Sequence, residues 1–310
     1  PTVDTTILRC NKSGNKTITL KHAVNFTNPR VSIVDSDYFS TFSNIISISN
    51  NGEDSLYSKL FNKRLRKVDD YYKVFQGIVT GNNDAFIFET EDEAIAHGIE
   101  KELLHPLCHG RDIGRYIVRS RDRKIIYLNN SVDIDRYPNA KKWIVPFKDS
   151  LSRRREAAKG TIKWFSLQWP RNKEELDTLE KIVVQNTRNE SLSQRIVATL
   201  DDKSVYGSQG VNFIIPSKNN VSLRFLLGVL NSSLINYLFK TKFLNLAIKA
   251  EFIKQVRLPK ESKEIISRVK RILSMKKENE QSDTSSLENE INRLVFELYG
   301  LTNEEVKFVN

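Results

Sequence analysis

The chain has 310 residues, of which 39% are apolar, and a formal net charge of +11, so it can bury a core and form about two domains. It contains no run of about 18 apolar residues and no basic-then-apolar signal sequence at its start, so neither a membrane span nor export is expected, and a cytoplasmic location is predicted. Because Cys10 and Cys108 are the only cysteines, a disulfide scaffold and the usual four-ligand zinc patterns are excluded.

The segment VFQGIVTGNNDAF, residues 74–86, predicts a buried strand that ends in a sharp turn. Gly77 and Gly81 tolerate the positive φ that tight turns and bulges require, and Asn82 and Asn83 suit a turn for the same reason. Such a bend serves packing alone, or it brings main-chain N–H groups against a ligand. These residues leave both interpretations open.

The excess positive charge is confined to the middle of the chain. Residues 101–260 contain 30 Lys and Arg against 15 Asp and Glu, a balance of +15, whereas residues 1–100 and 261–310 each have a balance of −2. This concentration predicts a surface that binds a polyanion. The alternative is a set of solvated Lys and Arg side chains that only keep the protein soluble.

The segment LCHGRDIGRY, residues 107–116, places a cysteine beside a histidine. Adjacent residues of an extended chain point to opposite faces, so Cys108 and His109 are not expected to form a nucleophile and its base. The glycines around Arg111 and Arg115 instead predict a turn that presents these two arginines to phosphates or bases.

Two basic segments follow this turn. YIVRSRDRKIIYL predicts strands at residues 116–118 and 125–128, joined by a cationic tip. DSLSRRREAAKG predicts a short helix that ends at Gly160. Because Arg153 and Arg154 are too close in sequence to share one face, at least one arginine of this helix should point away from any groove.

We predict that the polar and basic side chains of these turns contact nucleic acid, since Lys and Arg neutralise phosphates and Arg also binds guanine bidentately. Trp164 and Trp169, which lie among them, are expected to pack in the core rather than to stack on bases. The predicted contacts are Asn82, Asn83, Arg111, Arg115, Arg119, Arg121, Arg123, Lys124, Arg153, Arg154, Arg155, Lys159 and Lys163.

Signatures of enzymes and metal sites are missing from the sequence. It has no GxGxxG, no Walker loop, no HExxH and no paired cysteines. The segment ESK, residues 261–263, lacks the strand and upstream aspartate of a nuclease site, and it suits the start of a helix. No catalytic residue and no metal ligand is therefore predicted.

The last ninety residues predict helices. SLRFLLGVLNSSLINYLF, residues 222–239, is apolar nearly all round, which predicts a buried helix with a break near residues 231–233. Two amphipathic patterns then follow Pro259, joined by the polar segment KKENEQSDTSS. They predict an antiparallel helix hairpin.

Five segments, in order along the chain, resemble the C-terminal specificity region of Taq-type adenine-N6 DNA methyltransferases and of single-chain type IIG restriction-modification enzymes. They are GIVTGNNDAF, LHPLCHGRDIGRY, KIVVQNT, FLLGVLNSSLINYLF and LVFELYGLTNEEV. The resemblance covers roughly residues 70–310. In addition, VDTTILRC and KTITL are similar to the closing strands of the methyltransferase domain that precedes this region in the family.

The resemblance implies a target-recognition module without catalytic residues. The family's Asn-Pro-Pro-Tyr or Asn-Pro-Pro-Phe tetrapeptide is absent, since Asn28-Pro29 is followed by Arg30. We therefore expect this fragment to be no enzyme and to hold no cofactor and no metal. S-adenosylmethionine, and Mg²⁺ if the parent also cleaves, would belong to the parent enzyme. The expected partners are double-stranded DNA and the methyltransferase and nuclease domains of the parent chain.

The expected fold class is α+β, with a mixed, β-rich recognition domain followed by C-terminal helices that include an antiparallel hairpin. The predicted domains are residues 1–55, the end of a methyltransferase-like domain, residues 56–258, the recognition domain, and residues 259–310, the hairpin. The implied function is sequence-specific binding of double-stranded DNA for a type IIG restriction-modification enzyme or an adenine-N6 DNA methyltransferase. The alternative is a specificity subunit that docks a catalytic partner through its C-terminal helices.

Overall fold

The structure is a computed structural model that describes residues 17–22, 30–35, 54–119, 122–189, 191–217, 221–243 and 245–310. The chain divides into two units, residues 1–61 and 62–310. In the first unit, strand β1 (Thr17–His22) pairs antiparallel with strand β2 (Arg30–Asp35), and helix α1 spans Asp54–Leu60. The domain boundaries after residues 55 and 258 stay predictions.

The second unit contains both strands and helices, which confirms the α+β fold class. Its strands are β3 (Arg66–Lys67), β4 (Tyr72–Gln76), β5 (Ile87–Phe88), β6 (Leu104–Cys108), β7 (Ile113–Gly114), β8 (Ile117–Val118), β9 (Lys124–Ile126), β10 (Lys181–Gln185), β11 (Ala198–Asp201), β12 (Tyr206–Gly207), β13 (Val211–Pro216) and β14 (Arg257–Leu258).

Two four-stranded sheets form the centre of this unit. One has the order β11-β10-β13-β4 and is antiparallel throughout. The other has the order β12-β6-β9-β5, with β12 parallel to β6 and the remaining pairs antiparallel. Every residue of β10 is buried, and its sequence KIVVQ has the β-branched residues that suit a central strand.

The helices of the second unit lie between the strands and at the C-terminus. They are α2 (Asn83–Phe86), α3 (Glu91–Ala96), α4 (Pro138–Ile144), α5 (Lys148–Ser152), α6 (Arg155–Ala158), α7 (Lys173–Leu176), α8 (Leu223–Asn231), α9 (Ser233–Thr241), α10 (Ala250–Gln255), α11 (Lys263–Glu278), α12 (Ser285–Tyr299) and α13 (Asn303–Val309). Within the described ranges, none of the helices has the length and apolar character needed to cross a membrane.

The predicted C-terminal helices are confirmed. The buried helix is broken at Ser232, which has extended dihedrals and whose hydroxyl accepts a hydrogen bond from the N–H of Ile235, so that it caps α9. Helices α11 and α12 pack on each other as the predicted hairpin, and both contact α8. Gly228 permits this packing, because a Cβ there would lie 2.6 Å from Cγ2 of Ile265.

The strands predicted at residues 116–118 and 125–128 correspond to β8 and β9, which do not pair with each other, because β8 pairs with β7 while β9 lies between β6 and β5. One local prediction is wrong. The predicted helix at residues 149–160 is split into α5 and α6, because Arg154 takes extended dihedrals and turns its guanidinium inward. This departure accompanies the bonds of Arg154 to carbonyls distant in sequence.

Candidate nucleic-acid interface

Four turn segments converge on one cleft at the edge of the two sheets. Residues 78–83, 109–111, 187–189 and 208–210, together with Gln185 and Leu192, contribute to a cleft of about 1070 Å³. Most of the cleft's side chains are polar and uncharged, and the basic ones outnumber the acidic ones. The polar lining consists of Thr80, Asn82, Asn83, Glu89, His109, Arg111, Gln185, Thr187, Arg188, Asn189, Ser208 and Gln209. Such a lining suits a ligand with many hydrogen-bonding groups.

Glycines make the convergence possible. A Cβ on Gly77 would collide with the carbonyl oxygens of Gly207 and Ser208, and a Cβ on Gly110 would lie 2.6 Å from the carbonyl oxygen of Gly210. The backbone of Ile78 donates a 2.7 Å hydrogen bond to the carbonyl of Gly207. Packing of backbone against backbone therefore explains Gly77, one of the glycines whose role the sequence left open.

Hydrogen bonds fix the main chain of the turn that carries Gln209. The carbonyl oxygen of Gln209 accepts hydrogen bonds from Nε2 of Gln76 at 2.8 Å and from Nδ2 of Asn186 at 2.9 Å. The N–H of Asn186 donates to the carbonyl of Gly210 at 2.8 Å. Side-chain amides of two neighbouring segments thus hold the main chain on both sides of the exposed Gln209 side chain.

The turn that carries Arg111 is fixed in a similar way. Oδ2 of the buried Asp112 accepts hydrogen bonds from the N–H of His109 at 2.8 Å and from Nη1 of Arg123 at 2.6 Å. The Arg111 side chain is exposed and lines the cleft. The turn therefore presents Arg111 from a rigid base.

The neighbouring cysteine and histidine have different surroundings. Cys108 is buried, and burial raises the pKa of its thiol far above the ordinary value, so the thiol stays protonated. His109 lines the cleft, with Nδ1 3.0 Å from Oγ of Ser208. Burial and the nearby Arg123 lower the pKa of His109, so its ring is neutral at pH 7.

The two predicted asparagine contacts lie at the rim of the cleft with part of their bonding capacity used. Oδ1 of Asn82 accepts a hydrogen bond from the N–H of Asp84 and so caps α2, and its Nδ2 lies 3.3 Å from Oγ of Ser150. Oδ1 of Asn83 accepts from Oγ1 of Thr80 at 2.6 Å. Their structural role is evident, and their contact with nucleic acid stays a prediction.

Three predicted contacts need correction, because the fold itself uses their guanidinium groups. Arg123 is only 4% exposed and forms ion pairs with Asp112 and Glu89. Arg115 binds the carbonyl of Asn231 at 2.7 Å and the carboxylate of Glu288. The Arg115 bonds tie the segment between β7 and β8 to the C-terminal helices, whereas the Arg123 bonds stay within the strand region. In both residues the guanidinium is engaged by the fold and is not presented to a phosphate.

Arg154 is the third predicted contact that needs correction. Its nitrogens donate to the carbonyls of Leu151, Thr80, Trp164 and Ser166 at 2.7–2.9 Å. Arg154 therefore binds the main chain of neighbouring segments, and the expectation that at least one arginine of this segment points away from any groove stays a prediction. The prediction for the tryptophans is correct for Trp164, which packs against the core, and wrong for Trp169, which is 46% exposed.

The other basic residues keep their charge nearer to the surface. Arg119 pairs with Glu280, Lys124 pairs with Glu91 at 2.9 Å, and Nζ of Lys163 donates to the carbonyl of Val132 at 3.0 Å. These bonds occupy groups that we predicted for contact with nucleic acid. Arg121 lies outside the described residues.

Arg153, Arg155 and Lys159 form an exposed basic rim beside the cleft. Arg155 is 79% exposed, and Nε of Arg153 donates to the carbonyl of Asp149 at 3.1 Å. The segment that carries them reaches the cleft through Arg154, which binds the carbonyl of Thr80, and through Ser150, which lies beside Asn82. The structure thus brings the basic rim, Arg111 and the two asparagines together.

Several residues of the cleft were not among the predicted contacts. They are Gln185, Arg188, Asn189, Ser208 and Gln209. A signal was present, because KIVVQNT is a buried strand that runs directly into polar residues, and SQG is a turn between two strands. Counting Lys and Arg alone could not find them.

Comparison with known proteins assigns the chain to a described family of domains. The family model of the TaqI-like C-terminal specificity domain matches residues 105–259. The type II methyltransferase M.MjaIV of Methanocaldococcus jannaschii is 26% identical over 226 residues, which are 66% of this chain and 70% of the relative. The type II methyltransferase M.BstVI of Geobacillus stearothermophilus is 22% identical over 246 residues, which are 76% of this chain and 40% of the relative.

A solved structure shares the fold. The type IIL restriction-modification enzyme MmeI, determined in complex with DNA, superposes with a TM-score of 0.58 at 11% sequence identity. The match covers 96% of this chain but 40% of the MmeI chain. The chain therefore spans less than half the length of MmeI and of M.BstVI.

Proposed function

Since the chain belongs to the family of TaqI-like C-terminal specificity domains, we propose that it recognises a specific sequence in double-stranded DNA for a restriction-modification enzyme. The observation that carries the proposal is the convergence of the family-like segments 77–86, 104–116 and 181–187 on one polar cleft beside a basic rim. We propose further that the parent is a type IIG enzyme or an adenine-N6 DNA methyltransferase.

The proposed mechanism assigns different tasks to the rim and to the cleft. Arg153, Arg155 and Lys159 neutralise phosphates and fix the position of the duplex, which contributes affinity without reading sequence. Side chains of the cleft contact the edges of bases in the major groove, where each base pair shows its own pattern of donors and acceptors. The bound duplex is then held while a catalytic domain of the parent extrudes the target base.

We propose that residues 1–310 themselves carry out no catalytic step. We place the S-adenosylmethionine site, and a Mg²⁺ site if the parent cleaves DNA, outside this sequence, because it lacks the family's catalytic tetrapeptide. The predicted domains, with the end of a methyltransferase-like domain at residues 1–55, agree with this assignment. A cytoplasmic location stays a prediction.

The test uses a labelled duplex with a randomised core. Fluorescence anisotropy measures its binding to the chain at several salt concentrations, and the bound duplexes are recovered and sequenced. We expect a steep fall in affinity with salt and one enriched sequence. Replacing Arg153, Arg155 and Lys159 by Ala should reduce the salt slope by about 2 to 3, since each lost phosphate contact contributes about 0.9.

A matched variant controls for the loss of three charges. Lys270, Arg271 and Lys277 are exposed on α11 and do not line the cleft, so their replacement by Ala should leave the slope nearly unchanged. Failure of the chain to bind DNA even at low salt would contradict the proposal. It would favour the alternative, in which the C-terminal helices dock a catalytic partner.

A further inference from the structure

We propose that Gln209 reads an adenine and Arg111 reads a guanine, so that the DNA target contains both bases close together. This inference rests on the proposed function and specifies it.

Gln209 and Arg111 are the long polar side chains of the cleft that remain available to a ligand. Within the described part of the chain, neither the Gln209 carboxamide nor the Arg111 guanidinium makes a hydrogen bond or an ion pair, and both are exposed. The other candidates are occupied. Arg188 donates to the carbonyl of Gln194 and to Oε1 of Gln185, and Gln185 donates to the carbonyl of Ile113.

The two side chains also project from fixed main chain, which base reading requires. Two amide donors hold the carbonyl of Gln209, and the buried Asp112 with its partner Arg123 holds the turn of Arg111. Only the side-chain torsions remain to be ordered when DNA binds, so little conformational entropy is lost. Flexible lysines of the surface lack this advantage.

The chemistry of each group selects a base. A carboxamide offers one donor and one acceptor side by side, which matches N7 and N6 of adenine in the major groove. A guanidinium offers two parallel donors, which match N7 and O6 of guanine. A bidentate pair of either kind discriminates against a wrong base by about 5- to 150-fold.

The spacing of the two residues places the two bases near each other. The backbone of Gly110 packs directly against that of Gly210, so the turns that carry Arg111 and Gln209 are in contact. Successive base pairs are about 3.4 Å apart along the duplex. The adenine and the guanine should therefore lie within about two base pairs of each other.

The experiment repeats the selection from a randomised core with Gln209→Ala, Gln209→Glu and Arg111→Ala. We expect Gln209→Ala to lose its preference at one adenine position by about 5- to 150-fold, and Arg111→Ala to lose it at one nearby guanine. Gln209→Glu should change the preferred adenine to cytosine, because a carboxylate accepts a hydrogen bond from N4 of cytosine. Gln281→Ala and Arg271→Ala, at exposed positions of the C-terminal hairpin, serve as matched controls.

The outcomes separate this inference from the proposed function. A wild-type chain that selects a sequence, together with a Gln209→Ala variant that selects the same sequence as strongly at every position, overturns the inference and leaves the function intact. A wild-type chain that binds no DNA overturns both. Because both residues are exposed, thermal unfolding of the variants should match that of the wild type.

Discussion

Arg154 and Gly81 are fitted to each other at the rim of the cleft. A Cβ on Gly81 would lie 2.6 Å from Cδ of Arg154, and Nη1 of Arg154 donates a 2.8 Å hydrogen bond to the carbonyl of Thr80, the residue before Gly81. Gly81 also has a φ of +78°, which side chains other than glycine rarely adopt. One arginine of the basic segment therefore anchors that segment to the cleft.

Replacing Arg154 and Arg155, neighbours in sequence, should separate stability from DNA binding. Arg154→Ala leaves the carbonyls of Trp164 and Ser166 without the Arg154 donor, and leaves that of Thr80 with only the N–H of Gln168, so we expect the free energy of unfolding to fall by at least about 2 kcal/mol. Arg155→Ala removes an exposed charge, so the free energy of unfolding should change by less than about 0.5 kcal/mol. The affinity for DNA should fall, because a phosphate contact is lost. Urea denaturation and anisotropy measure the two effects. Equal loss of stability in both variants would contradict this division of roles.

Gly77→Ala should be far more damaging than Gly160→Ala. A Cβ on Gly77 meets two backbone carbonyl oxygens, which cannot move aside as a flexible side chain can, so we expect a loss of about 3 kcal/mol or more. Gly160 has open space around its Cβ position and a φ of +72°, so only the backbone strain of about 1 kcal/mol applies. The comparison is made by thermal unfolding. A Gly77→Ala variant as stable as Gly160→Ala would show that the two chain segments do not meet as described.

Asp112→Asn tests the buried ion pair beneath the turn of Arg111. The substitution keeps the shape of the side chain but leaves the buried Arg123 with Glu89 as its partner, so we expect a loss of about 3 kcal/mol. Asp135→Asn, whose 72% exposed carboxylate pairs with Lys141, should cost less than about 1 kcal/mol. Both values come from urea denaturation. Similar small losses in the two variants would mean that the Arg123 pair is solvated.

The sequence predicts the C-terminal helices well because their signal is local. Apolar residues at helical spacing define α8, α11 and α12, and the polar Asn231-Ser232-Ser233 marks the break. The sequence does not predict the pairing partners of β8 and β9, because pairing of short strands depends on residues far away. Lys124, for example, pairs with Phe88 and Pro106 on two other strands. Local propensity carries no information about such partners.

The sequence indicates the basic segment of the candidate site but does not separate its exposed arginines from its buried ones. The basic balance of residues 101–260 correctly marks Arg111, Arg153 and Arg155 as exposed, but the same charge count includes Arg123. An arginine that binds a carboxylate eleven residues away and an arginine that faces solvent look alike in a sequence. Gln209 is missed for the opposite reason, since a neutral side chain contributes nothing to net charge.

His105 should make the stability of the protein depend on pH in a narrow window. Its ring stacks on Tyr206 with centroids 4.2 Å apart, and its Nε2 is buried and makes no hydrogen bond within the described residues. Burial, and next the charge of Lys173, lowers its pKa to about 4, and Asp177 opposes this only in part. The folded protein therefore favours the neutral ring.

The direction of the effect follows from proton binding in the two states. Between pH 6.5 and pH 4 the unfolded chain protonates His105 and the folded chain does not, so stability falls as the pH falls through this window. Because the ring is partly exposed and solvent screens the effect, the total loss should be about 1 to 2 kcal/mol, and above pH 6.5 the contribution is constant. His105→Phe keeps a stacked ring without a titrating nitrogen, so its free energy of unfolding should depend less on pH between 4 and 6.5. Urea denaturation of both proteins from pH 4.5 to 7.5 measures the difference, and parallel curves would show that His105 titrates normally in the fold.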